Sequence, residues 1–237
     1  MKTSVVPLAL ALALAALPSP AARAAPASRS PDPILSAAAS PGGGCAYRWD
    51  ADSLDEEQLL DRAVLSLKRA IDRADGPAVL NEQDVPVPNL QFGETVPYRC
   101  VRTTIETVMR AGYIQLRIAR AQAGKELWAD PMVFDIRQDE SPQLHGRRAP
   151  VYNWLSLGPN GKLGWNGNRI SPGILRDYAR LTQGLNPVPW ISVEIEDAVP
   201  WQQAVTALSD LHRAHVAQMV LKPAAGAKGD LVSLSAR

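Results

Sequence analysis

The stretch Val188–Pro223, VPWISVEIEDAVPWQQAVTALSDLHRAHVAQMVLKP, constrains the chain most, because its pattern admits one parsing: strand, helix, strand. Ile191, Val193 and Ile195 alternate with Ser192, Glu194 and Glu196, the period of a strand with one buried face, and Asp197 marks the turn. Pro200 stands at the first helical position. Trp201, Ala204, Val205, Leu208 and Leu211 then recur at helical spacing, with Gln202, Gln203, Asp210 and Arg213 on the outside, and Val216 to Leu221 returns to an apolar run. Such a connection is right-handed, sets its two strands parallel and turns the Trp201 face onto the sheet.

The pattern occurs twice. Val96-Pro97-Tyr98 lies 103 residues before Val199-Pro200-Trp201, and on that offset Phe92 meets Ile195, Val101 meets Ala204, Ile105 meets Leu208, Leu116 meets Met219 and Ile118 meets Leu221. Two units of this kind would share the apolar pattern without common descent. The Val-Pro-aromatic run at both helix starts favours a duplication.

Around these units the expected organisation runs as follows. Residues 1–24 combine Lys2, an apolar core from Val5 to Leu17 and Ala22-Arg23-Ala24, the layout of a secretory signal cleaved after Ala24. The apolar run of about thirteen residues falls short of the roughly twenty that a spanning helix needs. Residues 25–44, rich in Ala, Pro, Ser and Gly, read as a disordered tether. A first α/β domain, a divergent copy, is expected over 45–137, a linker over 138–150, a second α/β domain over 151–223 and a tail over 224–237.

In the first copy, Ser53 with Glu56 reads as a capping box opening a helix with Leu60, Val64, Leu67 and Ile71 as its stripe. Val85 to Phe92 reads as extended, Pro97 to Arg110 as helix with Gly112 as its left-handed cap, and Tyr113 to Ile118 as the returning strand. Residues 119–129 read as helix or loop and Met132 to Ile136 as a strand. The second copy opens with a hairpin from Tyr152 to Trp165 around Asn160-Gly161, followed by a helix with Ser171 as N-cap and Pro172 at N1. The resulting fold class is α+β: two small two-layer domains, each a mixed sheet with helices on one face and a C-terminal strand–helix–strand unit.

The order of elements, the Asn-Gly hairpin followed by Trp165-Asn166-Gly167 and Ser171-Pro172, and above all VEIEDAVPWQQAVTALSDLHRAHVAQMVL resemble the periplasmic domain of the ExbD/TolR biopolymer-transport family. The likeness covers residues 152–223 and, more weakly, 87–118. It implies a periplasmic, generally dimeric module that contacts peptidoglycan or an envelope protein, with an extended peptide received at a sheet edge. Family members carry a membrane helix with an aspartate for proton coupling. Val5 to Leu17 has no acidic residue, so the resemblance does not extend to the motor. With two copies in one chain, it implies an internal pseudo-dimer and hence a monomer, meeting at strand edges and exposed aromatics such as Tyr152 and Trp190.

The 25 basic and 24 acidic residues become 23 and 24 once the first 24 residues are removed, and no dense Lys/Arg run occurs, so nucleic acid is not an expected partner. Cys45 and Cys100, the only cysteines, are expected to form a disulfide in an oxidising compartment. The sequence contains no phosphate-binding Gly-Lys-Ser/Thr loop, nucleophile elbow or His-Glu-x-x-His, and His212 with His215 lacks further ligands at a recognisable spacing. No catalytic, cofactor or metal residue is therefore assigned. His145, Arg147 and Arg148 read as linker residues, and Glu194 with Glu196 as an exposed strand face. The leading expectation is a secreted, non-enzymatic binding protein of the cell envelope; the alternative is a secreted small α/β enzyme or ligand-binding protein.

Overall fold

The structure, a computed structural model, describes residues 32–73, 85–122, 125–138, 152–216, 218–223 and 231–236. The first half contains β1 (Ile34–Ala39), β2 (Cys45–Trp49), β3 (Asp52–Leu54), α1 (Glu56–Arg73), β4 (Asn89–Gln91), α2 (Tyr98–Arg110), β5 (Gln115–Gln122) and β6 (Lys125–Gln138). The second contains β7 (Tyr152–Gly158), β8 (Lys162–Trp165), β9 (Asn168–Ile170), α3 (Pro172–Gln183), β10 (Trp190–Ile195), α4 (Trp201–Arg213), β11 (Met219–Lys222) and β12 (Val232–Ala236). The fold is α+β, with a mixed sheet of twelve strands among the described residues, ordered β3-β2-β1-β4-β5-β6-β12-β11-β10-β7-β8-β9.

That order reads the same from either end. β1 and β7 each run parallel to the strand that follows their helix, and each is flanked by an antiparallel hairpin on the other side. The register repeats as well: Leu35 faces Leu90 and Trp49 in the first half, while Leu155 faces Val193 and Trp165 in the second. β6 and β12 then pair antiparallel from Phe134 with Ala236 to Gln138 with Val232. Two mixed sheets are thus one continuous sheet.

The four α-helices of the described residues pack on one face. Leu35, Leu90, Leu116, Ile118, Phe134 and Ile136 from one half, and Leu155, Ile191, Val193, Met219, Val232 and Leu234 from the other, alternate onto that face. They join Leu59, Ala63, Val101, Ile105, Leu175, Ala179, Leu208 and Leu211 from the helices in one core.

Several expectations are corrected. Residues 25–44 include β1, whose Leu35 and Ala37 are buried between β2 and β4; two core contacts and a full ladder order a segment too poor in apolar residues to be recognised. The tail 224–237 includes β12, ordered because Val232 and Leu234 are buried and both of its edges are paired. Residues 119–122 and 125–129 are not helix or loop: they belong to β5 and β6, which pair there as a ladder with two register shifts. The capping box moves from Ser53 to Asp55, whose Oδ1 accepts from the Gln58 N–H at 2.8 Å while Gln58 Oε1 accepts from the Asp55 N–H at 3.0 Å; Ser53 belongs to β3. The opening hairpin of the first half is β1 with β2. The signal segment 1–24, most of the linker 138–150 with His145, Arg147 and Arg148, and residues 74–84 lie outside the described residues.

Candidate functional site

The two Val-Pro-aromatic runs meet. Pro97 and Pro200 are the N-caps of α2 and α4, neither with a side-chain cap, and they form an antiparallel bridge to each other. A helix start leaves its first N–H groups without intrahelical partners. Here each is served from the other half: Tyr98 N–H donates to Val199 O at 2.8 Å and Trp201 N–H to Val96 O at 2.7 Å, while Arg99 N–H donates to Asp197 O at 3.1 Å and Gln202 N–H to Glu94 O at 3.0 Å. The arrangement is reciprocal, and the approximate two-fold axis passes through this bridge and through the Asp135–Ser235 pair of β6 and β12. Trp201 stands edge-on to Phe92 at 5.4 Å across the joint, and Arg102 reaches Asp197 at 3.5 Å.

Strand edges do join the halves, but the aromatics at the joint are Phe92, Tyr98 and Trp201. Tyr152 and Trp190 are not there. They are register partners on β7 and β10, with rings edge-on at 6.1 Å, and β11 separates β10 from β12. Their side chains point away from the helices, on the face shared with Trp154, and Lys222 Nζ lies 5.7 Å from the Tyr152 ring centre. Tyr152 is 36 % and Trp154 44 % exposed, so this part of the face that no described helix covers presents aromatic rings to solvent.

Cys45 and Cys100 are joined by a disulfide. It ties the start of β2 to the first turn of α2, 55 residues apart. In the second half the positions equivalent to Cys45 and Cys100 are Gly161 and Gln203, as the matched ladders of β2 with β8 and the paired helix starts require. No bridge spans them.

What stands there instead is a pocket of about 230 Å³ between the β7–β8 turn, α3 and α4. Leu157, Leu163, Leu175 and Ala207 make its apolar lining, all core residues. Gln203 and Asp210 supply polar atoms. Gln203 Oε1 is buried with no hydrogen-bond partner and faces Gly161, at φ +71°, where an added Cβ would meet that oxygen in ordinary contact at 3.6 Å. Asp210 is only 6 % exposed although its helical position had suggested the outer face; Arg176 of α3 covers it with Nη2 at 2.6 Å and Nε at 3.2 Å from Oδ1. That hydrogen bond holds the Arg176 guanidinium above its ordinary pKa.

His212 packs edge-on against Phe134 at 5.3 Å, and His215 follows it at φ +56°. Burial, with the nearby His215 and Arg213 adding to it, pushes His212 below the ordinary histidine pKa. Glu194 is half-buried on β10, whereas Glu196 is exposed beyond the end of that strand. Among the described residues no group of three His, Cys, Asp or Glu side chains is placed to hold a metal ion, and no helix is long and apolar enough to cross a membrane.

The sequence pattern did not single out the pocket. Gln203, Arg176 and Asp210 are ordinary surface residues of two amphipathic helices until α3 packs on α4. The one signal available was the mismatch between Cys100 and Gln203 at equivalent positions. No protein-family model and no curated protein matches the chain.

Proposed function

We propose that the protein is an extracytoplasmic, non-enzymatic binding module of the cell envelope, similar to the periplasmic domains of ExbD/TolR proteins and working without their proton-coupled membrane helix. The Cys45–Cys100 disulfide suits an oxidising compartment, as do the secretory features of residues 1–24. The observation that carries binding is the exposed pair Tyr152 and Trp154, backed by half-buried Trp190, on the sheet face that no described helix covers, because contiguous exposed apolar surface marks interaction sites. An envelope protein or peptidoglycan is the expected partner.

The mature chain is to be incubated with purified peptidoglycan and with an envelope extract whose retained proteins are identified by mass. Retention of wild type together with release of the Tyr152→Ala/Trp154→Ala double variant is the expected result. Passage of wild type through both would end this reading. Carbonate extraction tests the compartment: processed, extractable protein is expected, and full-length protein with Lys2 held in the membrane pellet would return the chain to an anchored role.

A further inference from the structure

The pocket between α3 and α4 carries an inference independent of the aromatic face. The two halves share one scaffold, so each is a control for the other. In the first half the sulfurs of Cys45 and Cys100 bridge the gap between the hairpin and the helix. In the second half the same two positions are a glycine without a side chain and a glutamine whose buried oxygen has no partner. A buried polar atom left without a hydrogen bond costs about 1–3 kcal/mol. Gln203 is therefore poised to bond a guest, and the fold leaves room for one.

We propose that this pocket is a small-molecule site for an uncharged guest with an apolar body and one N–H or O–H donor, of the size of indole. Three features set that chemistry. The volume of about 230 Å³ lies below the roughly 300–1,000 Å³ of sites for drug-sized ligands, which limits the guest to a single small ring system or short chain. The floor of Leu157, Leu163, Leu175 and Ala207 asks for an apolar body. Of the polar side chains at the wall, Gln202, Gln203, Thr206 and Asp210, Gln203 offers the buried acceptor left without a partner, and the Asp210 charge is already matched by Arg176, so the guest brings a donor and no charge.

Calorimetric titration of the mature chain with indole, with its donor-less isostere benzofuran and with indole-3-acetate tests each feature. Indole is expected to bind once per chain, about 5–10-fold more tightly than benzofuran, as one neutral hydrogen bond implies, and indole-3-acetate is expected not to bind. Gln203→Leu keeps the volume and removes the acceptor; it should weaken indole and erase its advantage over benzofuran. Ala207→Leu should abolish binding of both by filling the pocket, with thermal unfolding monitored to confirm that this variant folds. Absence of indole binding in the millimolar range, equal affinity for indole and benzofuran in wild type, or a Gln203→Leu variant that still prefers indole would each overturn the proposal. None of these outcomes touches the peptidoglycan and envelope test, so the two readings fail separately.

Discussion

Asp50 and Asn166 show how single residues set the hairpins. Both sit at positive φ, 54° and 50°, a conformation for which short polar side chains are suited. Asp50 Oδ1 accepts from the Ile34 N–H at 2.9 Å, and Asn166 Oδ1 accepts from the Trp154 N–H at 2.7 Å, so each closes the same turn in its own half. Asn166→Ala should lower stability by about 1–3 kcal/mol in urea titration, through a lost bond and backbone strain. Asn166→Asp keeps the acceptor, as Asp50 does, and should recover most of that loss, forfeiting only the donation from Asn166 Nδ2 to Asn153. His212 makes a pH prediction. Its folded pKa is depressed, so the unfolded chain binds more protons near and below the ordinary histidine pKa of about 6.5, and stability is full above that pH and falls on acidification. The urea midpoint should therefore drop between pH 7.5 and 5.5, and His212→Leu should drop less; an identical drop in both would assign the sensitivity to other groups.

At the scale of elements, the disulfide and the reciprocal helix starts hold pieces that pattern alone would leave loose. The bridge closes a 55-residue separation that contains all of α1, and its loss should cost about 2–4 kcal/mol, read as a lower unfolding midpoint in reductant. Alkylation without reduction should label no thiol on the mature chain. The elements read correctly from the sequence were those whose period or turn signal is local: β10, α4 and β11, α2 with β5, the Asn-Gly hairpin of β7 with β8, and α3 behind Ser171-Pro172. β1 and β12 were missed for a common reason. Among the described side chains each turns two residues into the core, Leu35 with Ala37 and Val232 with Leu234, and each owes its order to neighbours on both edges. The pocket was illegible for the same reason at side-chain scale, since Arg176 and Asp210 are 34 positions apart and acquire their meaning when α3 meets α4.

At the scale of the molecule, each half would be incomplete alone. Without β12, β6 would present an unpaired edge, the feature that invites association with another chain. Without the other half, the first N–H groups of α2 and α4 would lack their carbonyl partners. The mature chain should therefore run as a compact monomer in light scattering at all concentrations, with a small-angle profile to match. A chain ending at Pro223 lacks β12 and should self-associate with concentration or lose its single cooperative unfolding transition. A concentration-dependent dimer of the intact mature chain would contradict this account.

The sequence by itself determined the local structure: the period of each long element, the proline at both helix starts, the Asn-Gly turn, the pair of cysteines and the repeat at 103 residues. These follow from backbone sterics and from apolar spacing within a dozen or so residues. Only the tertiary structure decided that the two copies share one sheet, that α2 and α4 cap each other, and that a glycine faces a glutamine over an open pocket where the other half has a disulfide. The physical reason is that edge hydrogen bonds, helix-end caps and cavities belong to pairs of segments far apart in the chain. A residue's own neighbours carry no record of the partner that satisfies it.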